Sequence, residues 1–201
     1  MYKCFFIIFM LMLLPNQAAK TQEKKVEFSF GASLGLSASN VSSNSNGLST
    51  KIDFNADYYF NPNWSLMSGV GLWVDGLVMD EDLNGSDDDR GLFLSIPLIA
   101  RYHLCLRNSN HQLVFGLGPA LNFTLKRGEY NLNYDTTSPL FGREKLNKLG
   151  LSLQPSAMYR FNNVAFGIEG NIGLVNMQKR YGLTNGSLYF YNVWFKFCHH
   201  F

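Results

Sequence analysis

Through eight separate stretches of this chain, apolar side chains recur at every second position, with small or polar residues between them. A period of two belongs to a β-strand with one apolar face. No stretch beyond residue 19 sustains the three-and-four spacing of a helix, so the chain reads as all-β. The first stretch, VEFSFGASLGLS (Val26 to Ser37), puts Phe28, Phe30, Leu34 and Leu36 on one side and Glu27, Gly31, Ser33 and Gly35 on the other. The same phase groups Ile52, Phe54, Tyr58 and Phe60, then Trp64, Leu66, Val70 and Leu72, then Leu92, Leu94, Ile96 and Leu98. It continues in Leu113, Phe115, Leu117 and Leu121, in Leu151, Leu153, Tyr159 and Phe161, and in Val164, Phe166, Ile168 and Ile172. LYFYNVWFKFCHHF is the last such stretch.

Connections alternate in length. Those after the first, third, fifth and seventh stretches run about 11 to 23 residues, and those after the second, fourth and sixth about 2 to 6, a hairpin length. Tight turns at NPN (Asn61 to Asn63), CLRNSN and Asn162-Asn163 therefore gather at one end and long loops at the other. An even strand number with this layout predicts an eight-stranded antiparallel up-and-down transmembrane β-barrel, with short periplasmic turns and long extracellular loops. Pro97, Pro119 and Pro155 fall inside strands, where they cannot donate to the ladder, and predict bulges.

Alternation alone also fits a soluble barrel that is apolar inside and polar outside. Volume and charge decide between the two. Phe28, Phe30, Phe54, Tyr58, Phe60, Trp64 and Leu72 share one phase, while Gly31, Gly35, Gly69, Gly71, Gly116, Gly118, Gly167 and Gly173 share the other. An eight-stranded barrel has room inside for little more than its own side chains, so the small-residue face belongs there. The apolar face carries no charged residue, and only 16% of the chain is charged. A soluble surface of about 25 to 35% charged residues is not attainable on such a wall. Phe28, Tyr58, Phe60, Trp64, Tyr102, Tyr159, Phe161, Phe195 and Phe197 fall near the turn end on the lipid-facing phase and predict an aromatic girdle. Phe123, Tyr189 and Tyr191 are candidates for a second girdle at the loop end.

The first residues are a separate object. Lys3 precedes the apolar run FFIIFMLMLL (Phe5 to Leu14), with Pro15 and the small pair Ala18-Ala19 after it. The run is shorter than the ~20 residues of a spanning helix and predicts a secretory signal peptide over 1–19. A short segment, 20–25, then leads into the barrel, 26–201. Removing Lys3 leaves 16 Lys+Arg against 15 Asp+Glu, a balance that creates no field favouring nucleic acid. Cys105 and Cys198 fall on opposite sides of the ring, which predicts free thiols.

LFLSIPLIARYHL followed by LVFGLGPAL (Leu92 to Leu104 and Leu113 to Leu121) resembles the strand-turn-strand signature of the PorT-like outer-membrane β-barrel domain family. The end of the chain, with Tyr189, Tyr191, Val193, Phe195, Phe197 and finally Phe201, is similar to an outer-membrane assembly signal, interrupted by the polar Cys198-His199-His200. The resemblance implies a bacterial outer-membrane location and roles in secretion or envelope assembly. It supplies no catalytic motif. Expected partners are outer-membrane lipid and lipopolysaccharide, the outer-membrane assembly machinery and other envelope or secretion proteins.

Two groups of residues carry chemistry. The inward phase holds Glu27, Asp53, Asp57 and Glu169 against Arg101, Arg160 and Lys196, which in a narrow lumen predicts a network of ion pairs, Glu27 with Lys196 among them. DEDLNG, with Asp80, Asp82 and Asn84 ahead of Gly85, matches the first half of a calcium loop, although its twelfth position is Gly91 rather than Glu. Calcium is thus the one candidate ion, and no organic cofactor is expected. His103, His111, His199 and His200 all fall near the turn end, away from an outer-leaflet substrate. The expected function is a structural or protein-interaction role. A ligand-binding barrel acting through its loops ranks second, and an outer-leaflet lipid-modifying enzyme third.

Overall fold

The computed structural model describes residues 25–39, 47–77, 91–106, 110–126, 147–177 and 189–201. They form eight strands: β1 (Val26–Ser39), β2 (Gly47–Asn61), β3 (Trp64–Leu77), β4 (Gly91–Cys105), β5 (His111–Lys126), β6 (Leu149–Phe161), β7 (Val164–Gly173) and β8 (Phe190–His200). Each pairs antiparallel with its sequence neighbour, and β8 pairs with β1, from Ser29 opposite His200 to Ser39 opposite Phe190. Closure leaves no edge, the condition for a sheet whose outer face meets hydrocarbon instead of water.

The tight turns are built by asparagine. Asn61 Oδ1 accepts hydrogen bonds from the backbone N–H of Asn63 and of Trp64, each 2.9 Å, which bends β2 into β3. Asn162 adopts φ 53°, a left-handed conformation that Asn tolerates better than most residues. Residues 40–46, 78–90, 127–146 and 178–188 of the loop-end connections, and with them Asp80, Asp82 and Asn84, lie outside the described residues.

The expected bulges at the prolines do not form. Pairing of β3 with β4 steps from Ser68 opposite Leu98 to Gly71 opposite Ser95 without a change of register, while Pro97 stays paired with Ala120 of β5. Pro119 and Pro155 behave alike: Pro119 remains opposite Leu153 and Pro155 opposite Leu117, and the ladder skips on the other side only. A strand residue offers its N–H to one neighbour, so the missing donor interrupts one ladder and leaves the other whole. The shifts of register occur elsewhere, at Leu48/Thr50, Tyr59/Asn61 and Leu92/Phe93.

Alternation holds to the end of β8. Cys198 and His200 point inward, and His199 continues the outward row of Phe195 and Phe197. The tripeptide that looks like an insertion in the sequence is ordinary strand. Phe201 N–H donates to the Phe28 carbonyl at 2.9 Å, extending the β1–β8 seam.

The outward face is predominantly apolar, with Leu36 67% exposed and Phe30, Phe54, Leu117, Ile168 and Phe195 each about half exposed. At the turn end its aromatic rings associate in pairs: Tyr58 with Phe60 at 5.3 Å, Trp64 with Tyr102 at 5.1 Å and Tyr159 with Phe166 at 5.4 Å between centroids. That is the predicted girdle. The lumen, by contrast, is filled.

Candidate functional site

Among the described residues, polar chemistry is concentrated in the interior, stacked in layers along the barrel axis. All seven charged residues expected in the lumen are there, together with an eighth, Lys51, which is 4% exposed. Lys51 sits two positions before Asp53 and in phase with it, so strand parity alone could have identified it. With Lys51, the described residues of the lumen include four acids and four bases, equal in number.

The central layer joins β1, β2, β7 and β8. Lys196 Nζ lies 2.8 Å from Asp53 Oδ2 and 3.0 Å from Glu169 Oε2. Lys51 Nζ pairs with the other Glu169 oxygen and lies 5.2 Å from the Trp194 ring centroid, within cation–π range. Asn55 donates to Asp53 from the same face of β2. Glycine makes the space. A Cβ on Gly31 would lie 2.7 Å from Asp53 Oδ1 and 3.0 Å from Lys196 Cε, and one on Gly71 would lie 3.0 Å from Lys51 Cε. Each lysine stem therefore passes over a glycine of an adjoining strand.

Nearer the turn end are two further ion pairs. Arg101 donates to Asp57 Oδ2 at 2.7 Å, and Ser65 donates to the other Asp57 oxygen at 3.0 Å. Arg160 grips Glu27 with both terminal nitrogens, at 2.6 and 2.7 Å, a bidentate geometry among the strongest that side chains make. Tyr59 adds a donated hydrogen bond to Glu27 at 2.8 Å, and His200 Nδ1 approaches it to 3.5 Å. Removing only the Tyr59 hydroxyl, as Tyr59→Phe, is expected to cost about 1 kcal/mol. A urea titration of the refolded barrel, followed by tryptophan emission, checks it.

The partner expected for Glu27 is thus corrected. Lys196 lies opposite Ser33, six residues further from the turn end than Glu27, and its amine goes to Asp53 and Glu169 instead. Strand parity placed both residues on one face, but the stagger of the barrel placed them at different heights.

Above the charges, toward the loop end, the lumen is closed by aromatic side chains. Trp73 and Phe93 stack with centroids 4.0 Å apart, Trp194 meets Trp73 edge-on at 6.0 Å, and Phe190 meets Phe93 at 5.8 Å. The indole N–H of Trp194 donates to Ser49 Oγ at 3.0 Å. The expectation of a small-residue interior holds only for part of its height. The lumen phase of β3, β4 and β8 includes these rings. Beside them a polar row crosses β5 to β8, with Asn122 donating to Ser152 at 2.8 Å and Asn171 to Asn192 at 3.1 Å.

Ser65, His103 and Asp57 bear a passing likeness to a hydrolytic triad. Ser65 Oγ lies 2.8 Å from His103 Nε2. The single hydroxyl hydrogen of Ser65 goes to Asp57, so His103 Nε2 must be the donor in that contact. A general base needs the opposite polarity, and its orienting carboxylate belongs on the other ring nitrogen. His103 Nδ1 has no hydrogen-bond partner among the described residues. Cys105 and Cys198 are free thiols, the latter packed against Val114, Met158 and Ala165.

The family model described as outer membrane protein beta-barrel domain matches residues 17–179. No curated protein matches the chain. Among solved structures, the chain is similar to Neisserial surface protein A (NspA), with a TM-score of 0.53 and 11% identity over 89% of this chain and 98% of that one. It is similar to the outer membrane enzyme PagL with the same TM-score and identity, over 85% of this chain and 98% of that one. At such identity these likenesses bear on the fold.

Proposed function

This chain belongs to the outer membrane protein beta-barrel domain family and is an integral protein of the bacterial outer membrane; from that premise we propose that it is a non-conducting scaffold that works by protein contacts at its two rims, in the manner of a PorT-like barrel serving secretion or envelope assembly. The observation that carries this reading is the filled lumen. Three ion-paired groups and an aromatic layer occupy it from the turn end to the loop end, leaving the rims and loops as surfaces for partners. The loop holding Asp80, Asp82 and Asn84 is the proposed outer contact, with calcium as its candidate ion. Outer-membrane lipid, lipopolysaccharide and the assembly machinery are the proposed surroundings.

Cross-linking of intact outer membranes, followed by affinity capture of the barrel, tests the proposal. A discrete envelope protein is expected to be captured with the full chain and lost, with membrane insertion intact, when Asp80 to Asp89 is deleted or when the turn-end rim is blocked. Capture of assembly machinery alone, in both cases, counts against the scaffold reading.

An outer-leaflet enzyme, the reading that likeness to PagL brings, draws less support. The Ser65–His103 pair is sealed at the turn end, with Ser65 1% exposed, and has the wrong proton polarity for attack.

A further inference from the structure

β7 ends at Gly173, and the next four residues, Leu174 to Met177, leave the sheet as a short strap at the outer end of the lumen. Pairing with β8 stops at Ile172 opposite Tyr191, and the backbone bonds of the strap run to the β6 side. Leu174 N–H donates to the Leu151 carbonyl at 2.8 Å, and the Met177 carbonyl accepts from Asn147 N–H at 2.7 Å. Between those two bonds the strap advances three residues and the facing chain four, so the regular ladder is lost. Asn147 adds a second hold, donating from its side-chain amide to the Asn176 carbonyl at 2.9 Å. It is itself held by Thr124, whose hydroxyl donates to the Asn147 carbonyl at 2.8 Å.

Of the four side chains in the strap, Met177 alone is buried, at 6% exposure. It joins the lumen layer of Trp73, Phe93, Phe190 and Trp194. Its seat is made by a glycine of β6: a Cβ on Gly150 would lie 2.5 Å from Met177 Sδ and 3.2 Å from Cε. Met is unbranched and flexible, so it can enter or leave such a seat by rotation about its own bonds. The root of the strap is a glycine too. A Cβ on Gly173 would lie 2.9 Å from the Phe190 carbonyl oxygen, so the chain turns away from β8 where only glycine fits. A segment held by a few bonds and one buried side chain opens at a lower free energy than the strands beneath it.

We propose that Leu174 to Met177 is a latch, hinged at Gly173: seated against Gly150, Met177 shuts the outer end of the lumen, and lifted, it bares the aromatic layer while the barrel wall stays intact. Thr124 and Asn147 flank the β5–β6 connection and Met177 begins the β7–β8 connection, so the latch ties the bases of two outer connections to the rings in the lumen. The device is independent of the scaffold role, which stands or falls on captured proteins.

Hydrogen exchange of the folded barrel in detergent, resolved to single amides by NMR, tests the latch. In wild type the Asn147 and Leu174 amides are expected to exchange more slowly than free peptide and faster than the amides of the β1–β8 seam, the mark of an opening confined to the strap. Gly150→Ala pushes a methyl group into the seat and Met177→Ala empties it. Each is expected to speed those two amides about tenfold or more and leave the seam unchanged. On the Met177→Ala background, Gly150→Ala is expected to add little, because the clash it creates is gone. Acrylamide quenching of Trp73 and Trp194, read in a Trp64→Phe protein, is expected to rise in the same variants. Wild type alone can overturn the proposal if a variant does not fold: exchange of Asn147 and Leu174 in step with the seam means no separate opening, and exchange at the free-peptide rate means a latch that never shuts. Unchanged rates in both single variants, or fully additive effects in the double variant, overturn it as well.

Discussion

Glu169→Gln is expected to destabilise the barrel by about 3 to 5 kcal/mol, the cost of removing one partner from a buried charge set. Gln matches Glu in shape, so packing is kept and only charge is lost. Both lysines that Glu169 serves, Lys51 and Lys196, are nearly inaccessible, at 4% and 2% exposure; Lys51 would then lose its carboxylate while Lys196 keeps Asp53. Restoring balance provides the control. Lys51→Met placed on the Glu169→Gln background removes the surplus cation and leaves the Lys196–Asp53 pair at 2.8 Å, so most of the lost stability is expected to return. The urea midpoint of the refolded protein in vesicles measures both. A Glu169→Gln midpoint equal to wild type would mean that water, not Glu169, neutralises the lysines.

Phe93→Ala is the second large effect, about 3 to 5 kcal/mol for emptying the site of a fully buried ring. Phe93 is 0% exposed and holds two neighbours, Trp73 by stacking at 4.0 Å and Phe190 edge-on at 5.8 Å. Near-ultraviolet circular dichroism is expected to lose the signature of the packed indoles along with the fall in urea midpoint. The ion-paired layers beneath are untouched, so this variant is expected to weaken the barrel without opening a pore.

Much of this architecture can be read from parity. In β1 the alternation of Phe28, Phe30, Leu34 and Leu36 with Glu27, Gly31, Ser33 and Gly35 assigns every side chain to a face, and comparison across the strands shows which face is wet. The same rule, applied to Lys51, Trp73, Phe93 and Trp194, places each of them in the lumen, since Ile52, Leu72, Leu94 and Val193 point outward. What parity does not contain is height. Glu27 meets Arg160 across the barrel, from β1 to β6, because the shear of a closed sheet brings those positions level. Register along each seam sets that level, and it depends on turns and closure together. For the same reason Glu27 and Lys196 look like neighbours in sequence pattern and are not. Prolines show another limit of the pattern: the loss of one donor looks like a defect in the strand, whereas it affects only one of two ladders.

A filled lumen makes the central claim open to a direct electrical test. Folded, purified protein inserted into planar lipid bilayers is expected to give no stable single-channel steps, because among the described residues ion-paired and aromatic layers occupy the lumen of a narrow eight-stranded barrel. Steady, reproducible conductance steps from the wild-type barrel would contradict it.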